Sequence, residues 1–388
     1  MSHQLIARSA DLTRLRVEGY DVAVEDGTLI VRQVPYVNLV RKVMRGTLRS
    51  KLNVSGDTTV QPNPHTVGFT GECCPCDQYG APMVNLIPGD KNPKNYGMFS
   101  RKPPRGHYED YYEQMTTYIN LLLTPVQVID PTATAQVYPV IETTAEESIF
   151  LYEDTASSRA GIIALSKKLA LSRVVIIGLG GTGSYILDLV SKTPVKQIDI
   201  YDGDFQLNHN AFRTPGAASL EELRARPTKV AYLAARYSKM HRGIIPHEEK
   251  IDESNVDGLL GADFVFLSMD SGEGKRLILR KLEEFQIPFI DVGMGINLVG
   301  EALTGMLRVT TSTPAKREHV AAMNRIPFGD ANGNNEYAEN IQTADLNALN
   351  AALAVIKWKK LFGFYADLER EFNSTYAING NVLLNEDR

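Results

Sequence analysis

The sequence predicts an α/β protein in two parts: a doubly wound parallel sheet in the C-terminal part and a smaller α+β domain ahead of it. Three observations support this prediction. Apolar strand-like runs alternate with helical runs after residue 170, a glycine-rich turn follows the first of these strands, and the first 150 residues show short strands separated by turns. We therefore expect one domain over residues 1–150 and a second over 151–388.

The elements follow from their patterns in chain order. A hairpin is expected over 20–34, turning at Asp26-Gly27, and a helix over 109–123. In the second part, strands are expected at 173–179, 197–202, 262–270 and 288–294, and helices at 184–192, 219–240, 274–285 and 344–364. Pro227 must begin a new helix or kink the second of these helices, at 219–240. The tail at 375–384 is expected to form a hairpin closed by Asn379-Gly380.

The composition is that of a folded protein rather than a disordered chain. Hydrophobic residues make up 43% of the 388 positions, charged residues 22%, and the formal net charge is −5. A mildly acidic chain lacks the basic surface that attracts nucleic acid or anionic membranes, so neither partner is expected. No apolar run reaches the roughly 18 residues of a membrane span, and no signal-peptide core is visible. Three neighbouring cysteines cannot form a disulfide framework, which favours a cytoplasmic protein.

A glycine-rich turn joins the first strand of the second part to its helix, and it contains Gly178, Gly180, Gly181 and Gly183. Glycines permit a tight turn and let a phosphate approach the backbone at a helix N-terminus. Asp202 ends the next strand, where an open α/β fold places a carboxylate that hydrogen-bonds ribose hydroxyls. The pattern predicts a Rossmann-like nucleotide-binding domain, and by itself it fits ATP and NAD equally.

The residues after Asp202 distinguish between these ligands. The segment DGDFQLNHNAFR, over 202–213, resembles the D-x-D-x-V-x-x-S-N-x-x-R signature of the ThiF/MoeB and ubiquitin-activating superfamily of adenylyltransferases. Three further residues resemble family positions in the family's order: Lys229 in RPTKVAYLA, Asp270 after FVFLSM, and Arg159 in TASSRAGI. The resemblance covers roughly residues 150–388. The part ahead of it resembles an uncharacterised domain that is fused to bacterial ThiF-type domains.

The resemblance implies an activity, a cofactor set and site residues. It implies ATP-dependent adenylation of a protein's C-terminal carboxylate, with release of pyrophosphate. The nucleotide would be bound by the glycine turn together with Asp202, Asp204 and Asn210. Arg213 and Lys229 would contact the triphosphate with Asn210, and Asp270 would hold Mg²⁺. Adenylation builds charge on phosphate oxygens, so fixed cations and a metal ion at these positions suit the chemistry.

The resemblance also implies partners. The substrate would be a ubiquitin-like or sulfur-carrier protein with a C-terminal glycine tail, and a conjugating-enzyme-like protein is a further candidate partner. In related homodimers the residue that corresponds to Arg159 reaches the ATP of the other subunit. We hypothesise that the N-terminal domain recognises the partner protein or takes part in transfer of the activated carboxyl group.

The family's thioester-forming cysteine should follow Gly300, yet the chain has no cysteine after Cys76. We therefore expect no zinc site built from cysteines in the second part. We expect the adenylate to pass directly to another protein, while capture by Cys73, Cys74 or Cys76, or by Ser312, remains open. The three cysteines could also bind zinc with His65 or be partly buried in a turn.

Two other functions compete with adenylation. A non-catalytic scaffold subunit would tend to lose Arg213, Lys229 or Asp270, and all three are present. An NAD-dependent oxidoreductase would need a catalytic acid or base and a hydride-acceptor pocket, and the sequence offers no candidate set. Adenylation is the prediction that these residues favour.

Overall fold

The computed structural model describes residues 2–84, 95–270, 272–327 and 341–387. It divides the chain into two compact units, Met1–Ile141 and Glu142–Arg388.

In its described residues, the N-terminal unit is an antiparallel sheet with three helices. The helices are α1 (Ser2–Arg8), α2 (Ala10–Val17) and α3 (Tyr111–Ile129). The strands are β1 (Asp21–Glu25), β2 (Thr28–Val37), β3 (Val43–Lys51), β4 (Val54–Ser55), β5 (Thr58–Thr59), β6 (Val67–Thr70) and β7 (Asn95–Phe99). Five strands form one sheet in the order β1-β2-β3-β6-β7, and β4 pairs with β5 separately.

Local sequence accounts for the elements of this unit. The predicted hairpin is confirmed: β1 and β2 are joined at Asp26 and Gly27, whose φ angles of 47° and 70° suit a two-residue turn of mirror-image type. Helix α3 begins after Asp110, whose side chain accepts a hydrogen bond from the Glu113 amide. It continues past the predicted end at residue 123 because buried Val126 prolongs the apolar face that packs on the sheet.

The C-terminal unit alternates strands and helices. Its helices are α4 (Thr155–Arg159), α5 (Ile163–Ser166), α6 (Gly181–Val190), α7 (Asn208–Ala211), α8 (Leu220–Ala225), α9 (Lys229–Tyr237), α10 (Glu273–Glu284), α11 (Glu318–Ala322) and α12 (Ala344–Leu361), with short 3-10 turns at Lys167–Leu169 and Val256–Leu259. Its strands are β8 (Val174–Ile177), β9 (Ile198–Tyr201), β10 (Ile244–His247), β11 (Phe264–Leu267), β12 (Phe289–Val299), β13 (Ala302–Ser312), β14 (Asn373–Ala377) and β15 (Val382–Glu386).

These eight strands form one sheet in the order β10-β9-β8-β11-β12-β13-β14-β15. Pairing is parallel from β10 to β12 and antiparallel from β12 to β15. The chain runs outward from β8 through β9 to β10, then returns to the other side of β8 as β11. This reversal confirms the predicted doubly wound, Rossmann-like fold, and it opens a crevice at the carboxyl ends of β8 and β11.

The core lies on both faces of the parallel strands. All four residues of β8 are buried, and so are all four of β11, as expected for central strands covered by helices. The predicted helix over 219–240 is divided at Pro227, between α8 and α9. The C-terminal hairpin is confirmed by the pairing of β14 with β15. Among the described helices, none is long and apolar enough to cross a membrane.

Candidate active site

A cavity of about 660 Å³ lies in the C-terminal unit at the carboxyl ends of β8, β9 and β11. Most of the predicted site residues line it: Gly178, Gly180, Gly181, Asp202, Asp204, Asn210, Arg213, Lys229 and Asp270. Of the remaining two, Gly183 lies one turn into α6, and Arg159 is the last residue of α4. Neither belongs to the cavity lining within the described part of the chain.

The glycines of the turn between β8 and α6 have different surroundings. Gly178 has a φ of +87°, and a Cβ there would lie 2.3 Å from the Ser268 carbonyl oxygen. A Cβ on Gly183 would lie 1.9 Å from the Gly178 carbonyl oxygen, and one on Gly181 would lie 2.0 Å from the Asn347 amide nitrogen. These three positions need glycine for the fold itself.

Gly180 differs, because a Cβ at this position would meet no protein atom within 4 Å. It precedes α6 with a φ of −69°, which other residues adopt readily. Gly180, Gly181 and Thr182 all line the cavity, so the unpaired amides of the first turn of α6 border it. A glycine that the protein's own packing does not require fits a ligand phosphate that approaches the backbone at a helix N-terminus.

Asp202 follows β9 and binds the glycine turn. Its Oδ2 accepts a hydrogen bond from the Leu179 amide at 2.8 Å, and its Oδ1 accepts one from the Asp204 amide at 2.8 Å. Both hydrogen bonds stabilise the charged carboxylate and fix its position at the cavity wall. A carboxylate held in this way retains lone pairs that can accept hydrogen bonds from ribose hydroxyls.

Lys229 is the buried cation of the site, with 7% of its surface exposed. It is the first residue of α9, whose N-terminus is capped by the Thr228 hydroxyl. Its Nζ lies 2.9 Å from Asp204 Oδ2 and 3.4 Å from Asp202 Oδ1. Burial alone would raise the pKa of Asp204, but hydrogen bonds and charge from Lys229 and Lys250 outweigh it, so this pKa lies below its usual value.

Asn210 and Arg213 belong to the short helix α7 and the turn after it. The buried Asn210 side chain accepts a hydrogen bond from the Leu207 amide at 2.9 Å, which fixes the start of this turn. The Nε of Arg213 is buried and has no hydrogen-bond partner among the described residues. Since buried donors are nearly always paired, an unpaired guanidinium nitrogen on a residue that lines the cavity suits an anionic ligand.

Asn347 is a residue of the site that the sequence argument missed. Its Oδ1 accepts a hydrogen bond from the Thr182 hydroxyl at 2.8 Å, and its amide nitrogen donates to the Arg213 carbonyl oxygen at 3.4 Å. It therefore connects the glycine turn with the turn that carries Arg213. The signal in the sequence is weak: Asn347 and Asn350 are fully buried polar residues in a run of α12, residues 346–356, that is otherwise apolar.

Asp270 lies in the loop after β11, with its side chain exposed at the cavity. The loop is anchored by Lys275, whose Nζ donates to the Met269 carbonyl oxygen at 3.2 Å and lies 2.6 Å from Asp291 Oδ1. Arg308 binds the other oxygen of Asp291, also at 2.6 Å. This buried network holds the segment next to Asp270 at the carboxyl end of β11.

The donor set suits Mg²⁺ better than zinc. The described residues contain no group of three or more His, Cys, Asp or Glu side chains arranged to hold a metal ion. Mg²⁺ is commonly bound by one or two carboxylates together with substrate phosphates and water, and Asp270 offers such a carboxylate. The alternative of a zinc site built from the three cysteines and His65 has no support in the described residues.

Three of the four candidate nucleophiles, Cys74, Cys76 and Ser312, are buried, whereas Cys73 is half-buried. Cys76 is fully buried and Cys74 nearly so. Burial is the main cause that raises the pKa of Cys74, and it raises the pKa of Cys76 to about 11, so both thiols stay protonated at neutral pH. Ser312, at the end of β13, is fully buried as well.

Two family models match the chain, one in each part. Residues 10–155 match a domain of unknown function (DUF6791), and residues 156–355 match the ThiF family. No curated protein is significantly similar to the chain in sequence.

Similar solved structures include E. coli MccB with MccA-N7isoASN, at 15% identity over 60% of this chain and 69% of that chain, with a TM-score of 0.47. E. coli MccB with ATP is similar at 15% identity over 60% and 68%, with a TM-score of 0.45. PaaA is similar at 15% identity over 58% and 76%, with a TM-score of 0.44. Because these scores are below 0.5, the assignment depends on the family match, which covers more than half of the sequence. The chain belongs to the ThiF family.

Proposed function

We propose that this chain uses ATP and Mg²⁺ to adenylate the C-terminal carboxylate of a ubiquitin-like or sulfur-carrier protein that ends in a glycine tail. One observation carries the proposal: a single cavity joins the glycine turn, the Asp202 carboxylate, two cations and the exposed Asp270. A phosphate-binding turn alone fits many nucleotides. Cations and a metal-binding carboxylate next to it suit a triphosphate from which pyrophosphate must leave.

Each residue has a role in this proposal. Asp202 accepts the ribose hydroxyls, and the first-turn amides of α6 with Asn210 bind phosphate oxygens. Arg213 and Lys229 stabilise the charge that develops on the α-phosphate and on the pyrophosphate. Asp270 holds Mg²⁺, which neutralises phosphate charge when it is bound. In this structure Lys229 is paired with Asp204 and Asp202, so ATP would compete with these carboxylates for the ammonium group of Lys229.

The carboxylate of the carrier attacks the α-phosphorus, the bond to the β-phosphate oxygen breaks, and pyrophosphate leaves. The product is a mixed anhydride between the carrier and AMP. In the proposed homodimer, Arg159 of one subunit would contact the ATP of the other. ThiF-family membership supports the adenylation step, and the carrier's identity and the dimer are parts of this proposal.

Calorimetry tests the nucleotide. We expect ATP to bind more tightly with Mg²⁺ than with EDTA, and NAD to bind weakly under both conditions. Tighter binding of NAD than of ATP would refute the proposal.

Pyrophosphate exchange tests the reaction. A panel of purified β-grasp carriers that end in Gly-Gly is compared with the same carriers amidated at the C-terminus, which cannot act as nucleophiles. Exchange is expected only with a free carboxylate. ATP binding without exchange by any carrier would favour the non-catalytic scaffold.

A further inference from the structure

A serine and a histidine form a side-chain pair in the N-terminal unit. The Oγ of Ser100 lies 2.9 Å from Nε2 of His65. Ser100 immediately follows β7 and is exposed, while His65 precedes β6 and is half-buried. In the tautomer that carries its proton on Nδ1, the imidazole accepts the hydroxyl proton of Ser100. This is the contact by which a general base activates a serine nucleophile.

Buried side chains of α3 hold the two partners in place. The hydroxyl of Tyr118 accepts a hydrogen bond from the Arg101 amide at 2.8 Å and lies 2.9 Å from the His65 carbonyl oxygen. One phenol therefore connects the segment of the histidine with the segment of the serine. Gln114 adds a second contact, because its amide donates to the Pro64 carbonyl oxygen at 3.2 Å. Tyr118 and Gln114 are both fully buried, so the pair is attached to a rigid part of the fold.

Strand pairing brings the two residues together. Val67 of β6 is the register partner of Phe99 of β7, so the chain positions next to this pair, which include Ser100, face the segment of His65. Arg101 and Lys102 follow Ser100 and are exposed. A nucleophile followed in sequence by two exposed cations suits an electrophile whose leaving group is anionic.

We propose that Ser100, with His65 as its general base, accepts the activated carboxyl group from an acyl-adenylate. Ser100 Oγ attacks the carbonyl carbon, the bond between this carbon and the phosphate oxygen breaks, and AMP leaves. The hydroxyl proton moves to His65 Nε2, and the carrier remains on Ser100 as an oxyester. The source of the adenylate rests on the proposed function, whereas the reactivity of Ser100 can be tested without it.

The test uses acetyl adenylate, a small mixed anhydride that bypasses the adenylation step. The full chain is exposed to it briefly, and peptide mapping by mass spectrometry compares acylation of Ser100 with that of Ser55, an exposed serine of β4. We expect preferential acylation of Ser100 that hydroxylamine reverses. In Ser100→Cys the adduct should become sensitive to thiols, and in Ser100→Ala it should be absent.

The His65→Gln variant separates catalysis from simple exposure. Glutamine can hydrogen-bond Ser100 but cannot take its proton, so acylation should slow by about a hundredfold or more. Thermal melting should be close to that of the wild-type chain, because His65 is only half-buried. Equal acylation of Ser100 and Ser55, or equal rates in His65→Gln and the wild type, would overturn the proposal. Selective acylation of Ser100 in a chain that fails to bind ATP would instead refute the adenylation proposal alone.

Discussion

Replacement of Gly180 by alanine should weaken ATP binding and leave the fold almost unchanged. A Cβ at this position meets no protein atom within 4 Å, and the φ of −69° is one that alanine can adopt. Lower entropy of the unfolded chain stabilises such a variant by about 0.4–1 kcal/mol. Loss of glycine at a helix N-cap costs roughly 0.5–1 kcal/mol, because alanine is disfavoured there. The two effects oppose each other, so the free energy of unfolding should change by about 0.5 kcal/mol or less.

The effect on ATP should be much larger. The added methyl group would occupy the space into which a phosphate must move to meet the first-turn amides of α6. Loss of one hydrogen bond to a charged group costs about 1.5–3 kcal/mol, which corresponds to a roughly ten- to hundredfold weaker affinity. Calorimetry with ATP and Mg²⁺ measures this change, and thermal melting measures stability.

Gly183→Ala is the matched control. Its Cβ would lie 1.9 Å from the Gly178 carbonyl oxygen, so the backbone of the turn would have to move. Overpacking of this kind costs about 1–3 kcal/mol, and we expect a melting temperature lower by several degrees. If Gly180→Ala bound ATP as tightly as the wild-type chain, phosphates would not approach this turn, and the argument for the site would fail.

Three further predictions concern the metal and the dimer. Asp270→Ala should remove the Mg²⁺-dependent increase in ATP affinity without lowering the melting temperature, since the side chain is exposed; an intact increase would show that this carboxylate is not the ligand. Lys275→Met should raise the Mg²⁺ concentration needed for tight ATP binding, because it frees the Met269 carbonyl. Lys357→Met also removes a buried lysine paired with carboxylates, and it should leave this Mg²⁺ concentration unchanged. Equal shifts of the Mg²⁺ concentration in the two variants would contradict the anchoring role of Lys275. A mixture of Arg159→Ala and Asp270→Ala chains should recover pyrophosphate exchange if the arginine acts on the partner's ATP, and no recovery from subunits shown to exchange would argue against it.

The sequence predicted the architecture of the C-terminal unit because its signals are local. Strand β8, the glycine turn and helix α6 follow one another within twenty residues, and each is specified by its own pattern of apolar residues and glycines. Asp202 and Asp270 follow β9 and β11, the strands on either side of β8, and both line the cavity at the carboxyl ends of these strands. The position of Asp202 after its strand predicted its role, whereas Asp270 was assigned through its resemblance to the family motif.

The supporting contacts of the site could not be predicted in this way. Asn347 follows Thr182 by 165 residues, and their hydrogen bond depends on how α12 packs against α6. Lys275 looks like an ordinary charge in an amphipathic helix, yet it is buried, and its charge is compensated by Asp291 at 2.6 Å from its ammonium group. Such contacts are set by packing between distant elements, which no local pattern records.

The surroundings of Ser100, the candidate acyl acceptor, could not be predicted from the sequence either. The sequence drew attention to the cysteines, because a thiol is intrinsically the better nucleophile. Nucleophilic strength depends on the fraction of the group that is ionised or paired with a base, and the structure determines both. Burial raises the pKa of Cys76 to about 11, while an exposed hydroxyl at Ser100 lies against an imidazole that is 35 positions away in sequence. Compared with the buried thiols of Cys74 and Cys76, the exposed hydroxyl of Ser100 has the surroundings that favour reaction, and for this reason we expect an oxyester on Ser100 rather than a thioester on either of these cysteines.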